Sequence, residues 1–209
     1  MHLKSFTAKQ YQKFSRAKGS QFIASEYALL QILNLIEKFK SKNILEVGAG
    51  IGTISDSILK RFKEVNLYAT EADNFCLEHL PGNLDVDYNK LNLYSNVEEL
   101  PKEAAFDLVI VDGKEEQLSV INKKLSKNAI IVVEGDRKDQ TDTLKQQFPA
   151  SKFVHSISYS KNNTYSNRPS NHFQGGLKII FTKPNMKQKL YWLKLKMRSK
   201  INFQLRKIS

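Results

Sequence analysis

The sequence has little cysteine and lacks a long apolar run. Cys76 is the single cysteine, so a disulfide cannot form within the chain, which fits a reducing compartment. The ordinary role of such a cysteine is that of a small, buried apolar side chain. No window approaches the roughly 20 apolar residues of a membrane span, and the first residues do not resemble a signal peptide. We therefore expect a cytoplasmic protein.

Acidic residues are absent from the last third of the chain. No Asp or Glu follows Asp142, whereas 14 of the 33 Lys and Arg residues do. The preceding part holds 19 basic and 21 acidic side chains, so the net charge of +12 belongs to the C-terminal part. Such asymmetry indicates a polyanionic partner, either anionic lipid or nucleic acid.

The length of 209 residues suits one α/β domain with short additions. We predict an N-terminal extension over residues 1–24, with a helix around residues 11–17, and a domain over residues 25–183. Residues 184–209 are predicted to form a basic amphipathic tail. Within the domain, a helix over residues 25–40 precedes the first strand, and Ser20 and Gln21 are candidate pocket residues just before it. Between the second and fourth strands we predict a short helix over residues 74–80, stopped by Pro81-Gly82, and a third strand over residues 84–88.

A glycine-rich turn follows the first predicted strand. Residues 43–47 are mainly apolar, residues 48–52 read Gly-Ala-Gly-Ile-Gly, and apolar side chains then recur at helical spacing. Glycines allow a sharp turn and let a ligand lie against bare main chain near the unpaired N–H groups of a helix. The dinucleotide fingerprint is Gly-x-Gly-x-x-Gly, whereas here Thr53 stands at the last position. The spacing therefore argues against an oxidoreductase.

A second predicted strand, beginning at residue 66, ends in an acid. Glu71 follows Gly52 by nineteen residues, and a carboxylate there can accept hydrogen bonds from both hydroxyls of a ribose. With Glu46 and the three glycines, it resembles the E/D-x-G-x-G-x-G loop and ribose-binding acid of class I S-adenosylmethionine-dependent methyltransferases.

The resemblance extends over residues 25–183 and implies a fold, a cofactor and a set of binding residues. The fold is an α/β Rossmann-like three-layer sandwich whose seven-stranded sheet is mostly parallel, with an antiparallel last strand. The cofactor is S-adenosyl-L-methionine. The residues that the resemblance assigns to it are Glu46, Val47, Gly48, Ala49, Gly50, Gly52, Thr53, Glu71, Ala72 and Asp112.

A continuous apolar run over residues 106–111 predicts a central parallel strand buried on both faces. It ends in Asp112-Gly113-Lys114, at the sheet edge where open α/β folds bind ligands. This resembles the fourth-strand motif of the family, in the style of catechol-type O-methyltransferases. Asp112 either faces the ligand or caps a helix over residues 114–125, and both roles are compatible.

The predicted fifth strand, over residues 129–134, bears on metal binding. Catechol-type enzymes have an Asp-Asn pair there that completes a magnesium site, whereas this chain has Glu134 and Gly135. Because glycine offers no side-chain oxygen, we predict a site without metal, and Asp112 and Glu134 are the remaining metal candidates.

The implied reaction is a direct displacement at the methyl carbon, which chiefly requires alignment of the two reacting atoms. A hydroxyl acceptor would also need a base. Asp112, Asp136 and His172 are the candidates, in that order. Asp136 has the alternative of a loop salt bridge or helix cap. His172 lies in a long polar loop over residues 160–176, where a solvated histidine is the ordinary alternative.

The residues directly after the fourth strand bear on the acceptor. They do not form the Asn/Asp-Pro-Pro-aromatic motif that amino methyltransferases often carry. We therefore expect methylation of a hydroxyl on a small-molecule, glycan or lipid-linked acceptor. The alternatives are an RNA methyltransferase that uses the basic tail, ranked behind the first interpretation, and a non-catalytic cofactor-binding or scaffold protein.

The tail from residue 186 onwards combines basic and apolar residues. Leu190, Leu193 and Met197 share a helix face, and Tyr191 and Trp192 are rings that suit a lipid headgroup boundary. Our hypothesis is an interfacial helix that attaches the protein peripherally to the inner face of an anionic membrane. The alternatives are packing on the domain, contact with a second subunit in an oligomer, or binding of nucleic acid.

Overall fold

The computed structural model describes residues 1–115, 117–135 and 137–208. Within these residues, seven strands form one sheet. Their bounds are β1 Asn43–Val47, β2 Asn66–Thr70, β3 Leu91–Tyr94, β4 Phe106–Val111, β5 Leu125–Glu134, β6 Lys152–Ile157 and β7 Gly176–Phe181. The α-helices of the same residues are α1 Leu3–Ser15, α2 Glu26–Phe39, α3 Thr53–Arg61, α4 Asn74–Leu84, α5 Leu118–Asn122, α6 Lys138–Gln147 and α7 Met186–Ile208.

The sheet has the order β3-β2-β1-β4-β5-β7-β6. Strands β1 to β5 pair in parallel, and β7 runs antiparallel to both of its neighbours, β5 and β6. The predicted sheet of six parallel strands and one antiparallel strand is confirmed. The strand order reverses between β1 and β4, which is where this class of sheet opens a crevice for ligands.

Helices cover both faces of the sheet. On one face, β-strand side chains such as Leu108 and Ile179 pack with α2, α3 and α7 into a core that includes Leu33, Ile58 and Leu195. The opposite face packs with α5 and α6. Strand β4 is buried along nearly its whole length because it contributes to both cores, so its carboxyl end is held rigidly.

The N-terminal residues pack on the domain. Helix α1 begins at Leu3 and ends at Ser15, so the prediction of a helix over residues 11–17 was wrong in its start. The buried carboxylate of Asp56 in α3 explains this position: it accepts a hydrogen bond from Gln10 (2.9 Å) and ion-pairs with Lys13 (3.1 Å). Through these contacts, α1 fixes the position of the segment that leads into α2.

Two predicted elements between β2 and β4 were wrong. Helix α4 was expected to stop at Pro81-Gly82, but it continues to Leu84. An interior proline costs about 3 kcal/mol, and the burial of Leu80 and Leu84 offsets this cost. The third strand was expected over residues 84–88. Because α4 and a 3₁₀ helix occupy those residues, the strand forms at Leu91–Tyr94 instead.

Helix α7 lies along β6 at the sheet edge. Trp192 donates its indole N–H to the carbonyl of Phe153 (2.8 Å), and Tyr191 packs edge-on against Phe39. These two half-buried rings therefore serve the packing of α7 on the domain, which is one of the alternatives that the sequence left open for this helix. None of the helices in the described part of the chain combines the length and the apolar character that crossing a bilayer requires.

Candidate cofactor and acceptor site

The turn between β1 and α3 adopts a backbone that favours glycine. Gly48, Gly50 and Gly52 have φ angles of 85°, 55° and 93°, which side chains rarely adopt. A Cβ atom on Gly48 would lie 2.5 Å from the Cα atom of Gly113, so this glycine lets the turn cross the end of β4 closely. A Cβ on Gly50 would meet no atom within 4 Å. Gly50 therefore borders open space, where a ligand can lie against the main chain.

Glu71 secures this turn from the end of β2. Its Oε2 atom accepts a hydrogen bond from the backbone N–H of Gly50 (2.6 Å), and its Oε1 atom accepts from Ala72 and Asp73 (2.9 Å each). The same carboxylate that was predicted to bind a ribose thus also joins the first turn to the second. These three bonds leave about one acceptor site of the carboxylate, on Oε2, for a ligand that lies over Gly50.

Glu46 lies beneath the turn and is fully buried. The hydroxyl of Ser55 donates to its Oε2 atom. Burial raises the pKa of Glu46 well above its usual value; the Ser55 hydrogen bond opposes this rise, and the nearby Asp112 and Glu71 add to it. Its Oε1 atom and the Thr53 hydroxyl are buried without a hydrogen-bond partner among the described residues. Such orphaned polar atoms fit a ligand that supplies donors.

Two cavities meet at the carboxyl edge of the sheet. The first has a volume of about 530 Å³ and the second about 370 Å³. Phe22, Gly50 and Asp112 line both. A nucleoside-sized ligand in one cavity would therefore adjoin a second molecule in the other.

The larger cavity is the polar one. The residues that line it surround the ends of β1, β2, β3 and β4: Phe22, Val47, Gly48, Gly50, Thr70, Glu71, Ala72, Ser95, Asn96, Asp112, Gly113, Lys114, Glu115 and Arg137. It contains the carboxylate of Glu71 together with the hydroxyl group of Ser95 and the amide group of Asn96, which follow β3. This set of groups suits the sugar and base of a nucleoside.

The smaller cavity lies between the N-terminal segment and α4. Its walls include Gln21, Phe22, Ile51 and Phe75, with Thr53 contributing the unpartnered hydroxyl. Cys76 also lines this cavity, and its pKa is raised to about 12, chiefly by burial and then by the negative charge of Glu71. The thiol is therefore a neutral wall of the cavity at physiological pH.

A pair of carboxyl groups lies where β4 and β5 end. Burial raises the pKa of Asp112 well above its usual value, and the negative charge of the neighbouring Glu134 raises it further. The positive charge of Arg137 opposes this effect, and the guanidinium also donates to the Asp112 carbonyl. Asp112 does not cap the next helix, because Gln117 occupies the N-cap position of α5.

The long polar loop after β6 covers the N-terminal segment. Tyr165 donates its hydroxyl to Glu26 (2.8 Å), the hydroxyls of Tyr11 and Ser166 are 2.9 Å apart, and Arg168 donates to the carbonyl of Ile23 (3.3 Å). These contacts fold the loop onto the residues that line the smaller cavity. The loop therefore helps to hold that wall in place.

The predicted cofactor residues differ in their position relative to the two cavities. Val47, Gly48, Gly50, Glu71, Ala72 and Asp112 line the polar cavity, and Ala49 and Thr53 line the smaller cavity. Glu46 lies buried below the turn. Gly52 is not among the lining residues. A Cβ there would overlap Leu84, so this glycine permits the close packing of α4.

Of the two other predicted catalytic residues, only His172 is described, and it does not join this group. His172 is exposed in the long loop and is not among the described residues that line either cavity. Asp136 lies outside the described residues. Among the described residues, no group of three or more His, Cys, Asp or Glu side chains is placed to hold a metal ion.

Sequence reasoning missed several cavity residues. Ser95 and Asn96 line the polar cavity because β3 ends at Tyr94, beyond the predicted third strand. Phe22 lines both cavities and remains 83% exposed. An aromatic residue beside the candidate Gln21 was the available signal, but only the folded chain shows that its ring faces the junction of the cavities.

Sequence comparison relates the first half of the chain to RNA-modifying proteins. A family model described as Ribosomal RNA adenine dimethylase matches residues 11–96. Ribosomal RNA small subunit methyltransferase A of Mycoplasmoides gallisepticum is 29% identical over 93 residues, which is 44% of this chain and 33% of the relative. The protein of that name from Clostridium botulinum is 32% identical over 106 residues, covering 44% of this chain and 38% of the relative. The aligned chain thus spans about a third of the length of these curated relatives.

Structural comparison extends over most of the chain. Podospora anserina methyltransferase PaMTH1, bound to S-adenosylhomocysteine, aligns with a TM-score of 0.61, at 16% identity over 86% of this chain and 88% of that one. The O-methyltransferase TomG from Streptomyces achromogenes, in complex with S-adenosylmethionine, aligns with a TM-score of 0.55, at 14% identity over 88% of this chain and 91% of that one.

This chain therefore has the Rossmann-like fold of class I S-adenosylmethionine-dependent methyltransferases, and the resemblance recognised from its motifs is confirmed. The comparisons also support S-adenosylmethionine as the cofactor. The sequence match to the adenine dimethylase family ends before β4. It therefore includes the glycine turn, Glu71 and the residues before α2 that line the smaller cavity, but not Asp112 or Glu134.

Proposed function

We propose that this protein transfers a methyl group from S-adenosylmethionine to RNA. The observation that carries the proposal is the junction of two cavities at Gly50 and Asp112, closed by an N-terminal segment that lies within the match to the adenine dimethylase family. The sequence motifs alone had favoured a hydroxyl of a small, glycan or lipid-linked molecule. The curated relatives favour the RNA alternative.

The polar cavity is proposed to hold the nucleoside part of the cofactor. Glu71 would accept a hydrogen bond from the ribose through its free Oε2 site, and Ser95 and Asn96 would face the base. The orphaned Glu46 oxygen and Thr53 hydroxyl fit a ligand with polar groups at its other end. When bound, the cofactor supplies a sulfonium-activated methyl group. The task of the chain is to align an acceptor atom with it and to exclude water.

The acceptor is proposed to enter from the side of Phe22. This ring is largely exposed at the junction of the cavities, where its face can stack on an unstacked nucleobase. Lys114 and Arg137 line the polar cavity. The Nζ atom of Lys18 lies 5.1 Å from the ring centroid of Phe75, which lines the smaller cavity. These cations would attract the phosphates that flank a target base.

A second candidate, a hydroxyl acceptor, is favoured by the Asp112–Glu134 pair. A hydroxyl group needs a base, and a carboxylate with a raised pKa is better matched to that task near neutral pH than an ordinary one. The chain also lacks the Asn/Asp-Pro-Pro-aromatic motif after β4. A small hydroxylated molecule would then occupy the smaller cavity.

The two candidates are separated by a transfer assay with methyl-tritiated S-adenosylmethionine. The purified chain would be offered total ribosomal RNA, protein-free small-subunit RNA and a panel of hydroxylated small molecules. We expect tritium to be incorporated into RNA, and ribonuclease treatment should release this label. Label only in small molecules would favour the second candidate, and failure to bind S-adenosylhomocysteine in calorimetry would contradict both.

Variants at Phe22 test the stacking role. We expect Phe22→Ala to raise the KM for RNA about tenfold, corresponding to the loss of one stacked base, while S-adenosylhomocysteine affinity changes less than twofold. Phe22→Tyr serves as the matched control because it keeps the ring. An equal loss of cofactor affinity in Phe22→Ala would instead place the ring against the cofactor.

A further inference from the structure

Helix α7 carries an apolar stripe that faces away from the domain. With 100° of rotation per residue, its members fall within a sector of about 120°. Leu190, Met197 and Ile201 are 63%, 58% and 59% exposed. The full stripe consists of Met186, Leu190, Leu193, Met197, Ile201, Leu205 and Ile208.

The opposite face of α7 is pinned to the domain, so the stripe cannot turn inwards. Gln188 donates to the carbonyl of Asn128 (2.8 Å), Trp192 to that of Phe153 (2.8 Å) and Asn202 to that of Ile157 (2.7 Å). Leu195, between these polar anchors, is buried in the core beside the sheet. One face of the amphipathic helix therefore packs on the domain, and the opposite face is exposed to solvent.

Basic residues border the stripe on both sides. Because the helix repeat is 3.6 residues, Lys189, Lys196, Lys200 and Lys207 form one row, and Lys187, Lys194 and Arg198 form the other. No acidic residue occurs anywhere in α7. Lys196 and Lys200 also line a groove of about 520 Å³ beside β6 whose apolar walls include Phe153 and Phe203. Apolar and cationic surface thus alternate across this side of the protein.

We propose that the outward face of α7 docks on an anionic lipid bilayer. Such a surface presents phosphate groups and hydrocarbon at the same boundary, so it can neutralise both basic rows and bury the stripe between them. The stripe is about 33 Å long, which lets the helix lie flat on the membrane.

Charge argues against the other occupants. If two copies of the chain paired through this stripe, each would bring its basic rows against those of the other, with no acidic side chain in either helix to compensate. Nucleic acid would attract the basic rows, but its phosphates would leave the apolar stripe between them exposed to water. The proposal concerns attachment alone and does not depend on which acceptor is methylated.

Vesicle sedimentation tests this surface with the full-length chain. We expect the protein to pellet with vesicles of phosphatidylcholine and phosphatidylglycerol (3:1), and to remain in the supernatant with phosphatidylcholine alone. The variant with Leu190→Gln, Met197→Gln and Ile201→Gln should bind at least about tenfold more weakly, since it loses the buried apolar area. All three side chains are exposed, so the fold should be retained, which thermal melting would verify.

Matched variants separate the two parts of the surface. Changing Lys189, Lys194 and Lys200 to Gln should weaken binding to the same vesicles by about tenfold or more and flatten its salt dependence. Val86→Gln, which removes an exposed apolar side chain far along the sequence, should bind as the parent does.

Three results would overturn the proposal. One is undiminished vesicle binding by the variant with the altered stripe. Another is a dimer of the parent chain that this variant dissociates, measured by light scattering, because it would identify a second copy as the occupant. The third is a parallel loss of affinity for an RNA oligonucleotide in the stripe variant, which would assign the face to nucleic acid.

Discussion

Two glycines of the same turn provide a matched test of the cofactor site. Gly50 and Gly48 both have positive φ angles, but only Gly48 has a backbone neighbour that an added Cβ would strike, the Cα atom of Gly113 at 2.5 Å. The same change to alanine should therefore affect ligand binding at one position and folding at the other.

For Gly50→Ala we expect a small change in stability. A non-glycine residue in the left-handed region costs about 1–2 kcal/mol, and the reduced entropy of the unfolded chain returns about 0.4–1 kcal/mol. The expected net loss of about 1 kcal/mol lowers Tm by roughly 2–4 °C in a chain of this size. The added methyl group, however, occupies the open space above the turn, so the affinity for S-adenosylhomocysteine should fall at least about tenfold.

For Gly48→Ala the order of effects is reversed. The same backbone cost is joined by overpacking against β4, which typically adds about 1–3 kcal/mol. A Tm reduction of roughly 5–15 °C is therefore expected. Calorimetry with S-adenosylhomocysteine and thermal melting of both variants provide the readouts. Parental affinity in a folded Gly50→Ala protein would refute the reasoning, because the open space would then not be the ligand site.

Three further predictions concern ionisable groups. Because the pKa of Asp112 is raised in the folded state, its contribution to stability is lost as pH rises from the ordinary aspartate range through the raised value. Asp112→Asn should therefore flatten the pH dependence of Tm, and it should reduce turnover more than it reduces cofactor affinity. An unchanged pH profile of Tm would contradict this prediction. Asp56→Ala should cost about 2–3 kcal/mol because Gln10 loses its buried partner. The control Asp142→Ala, at a half-exposed carboxylate, should shift Tm by less than about 2 °C, and equal shifts in the two variants would count against the role of Asp56. With its pKa raised to about 12, Cys76 should react with iodoacetamide at pH 8 roughly a thousandfold more slowly than an ordinary thiol, and rapid labelling would disprove the burial argument.

The glycine turn shows why part of the fold could be predicted. Successive glycines, an apolar run before them and helical spacing after them are local signals, and the backbone conformation they require is fixed by sterics alone. Strands β1 and β4 were predicted correctly for a similar reason, since mainly apolar runs of this length are typical of strands buried on both faces of a parallel sheet.

The third strand shows where local reasoning fails. The segment from Leu84 to Tyr88 and the segment that forms β3 are both short and mixed in character. Which of them pairs with β2 depends on how far α4 continues, and α4 continues because Leu80 and Leu84 are buried in the core. Tertiary packing thus overrides the stop signal of Pro81 and Gly82.

The amino-acid sequence by itself determined the class of fold, the position of the glycine turn and the acid at the end of β2, because each depends on residues that are close together along the chain. Only the tertiary structure decided that Asp112 pairs with Glu134, that Phe22 stands between two cavities, and which face of α7 remains open. These features join residues that are distant along the chain, and their proximity arises only when the two cores of the sheet pack. The same helical periodicity that produces a stripe on α7 would be compatible with either orientation until β6 fixes one.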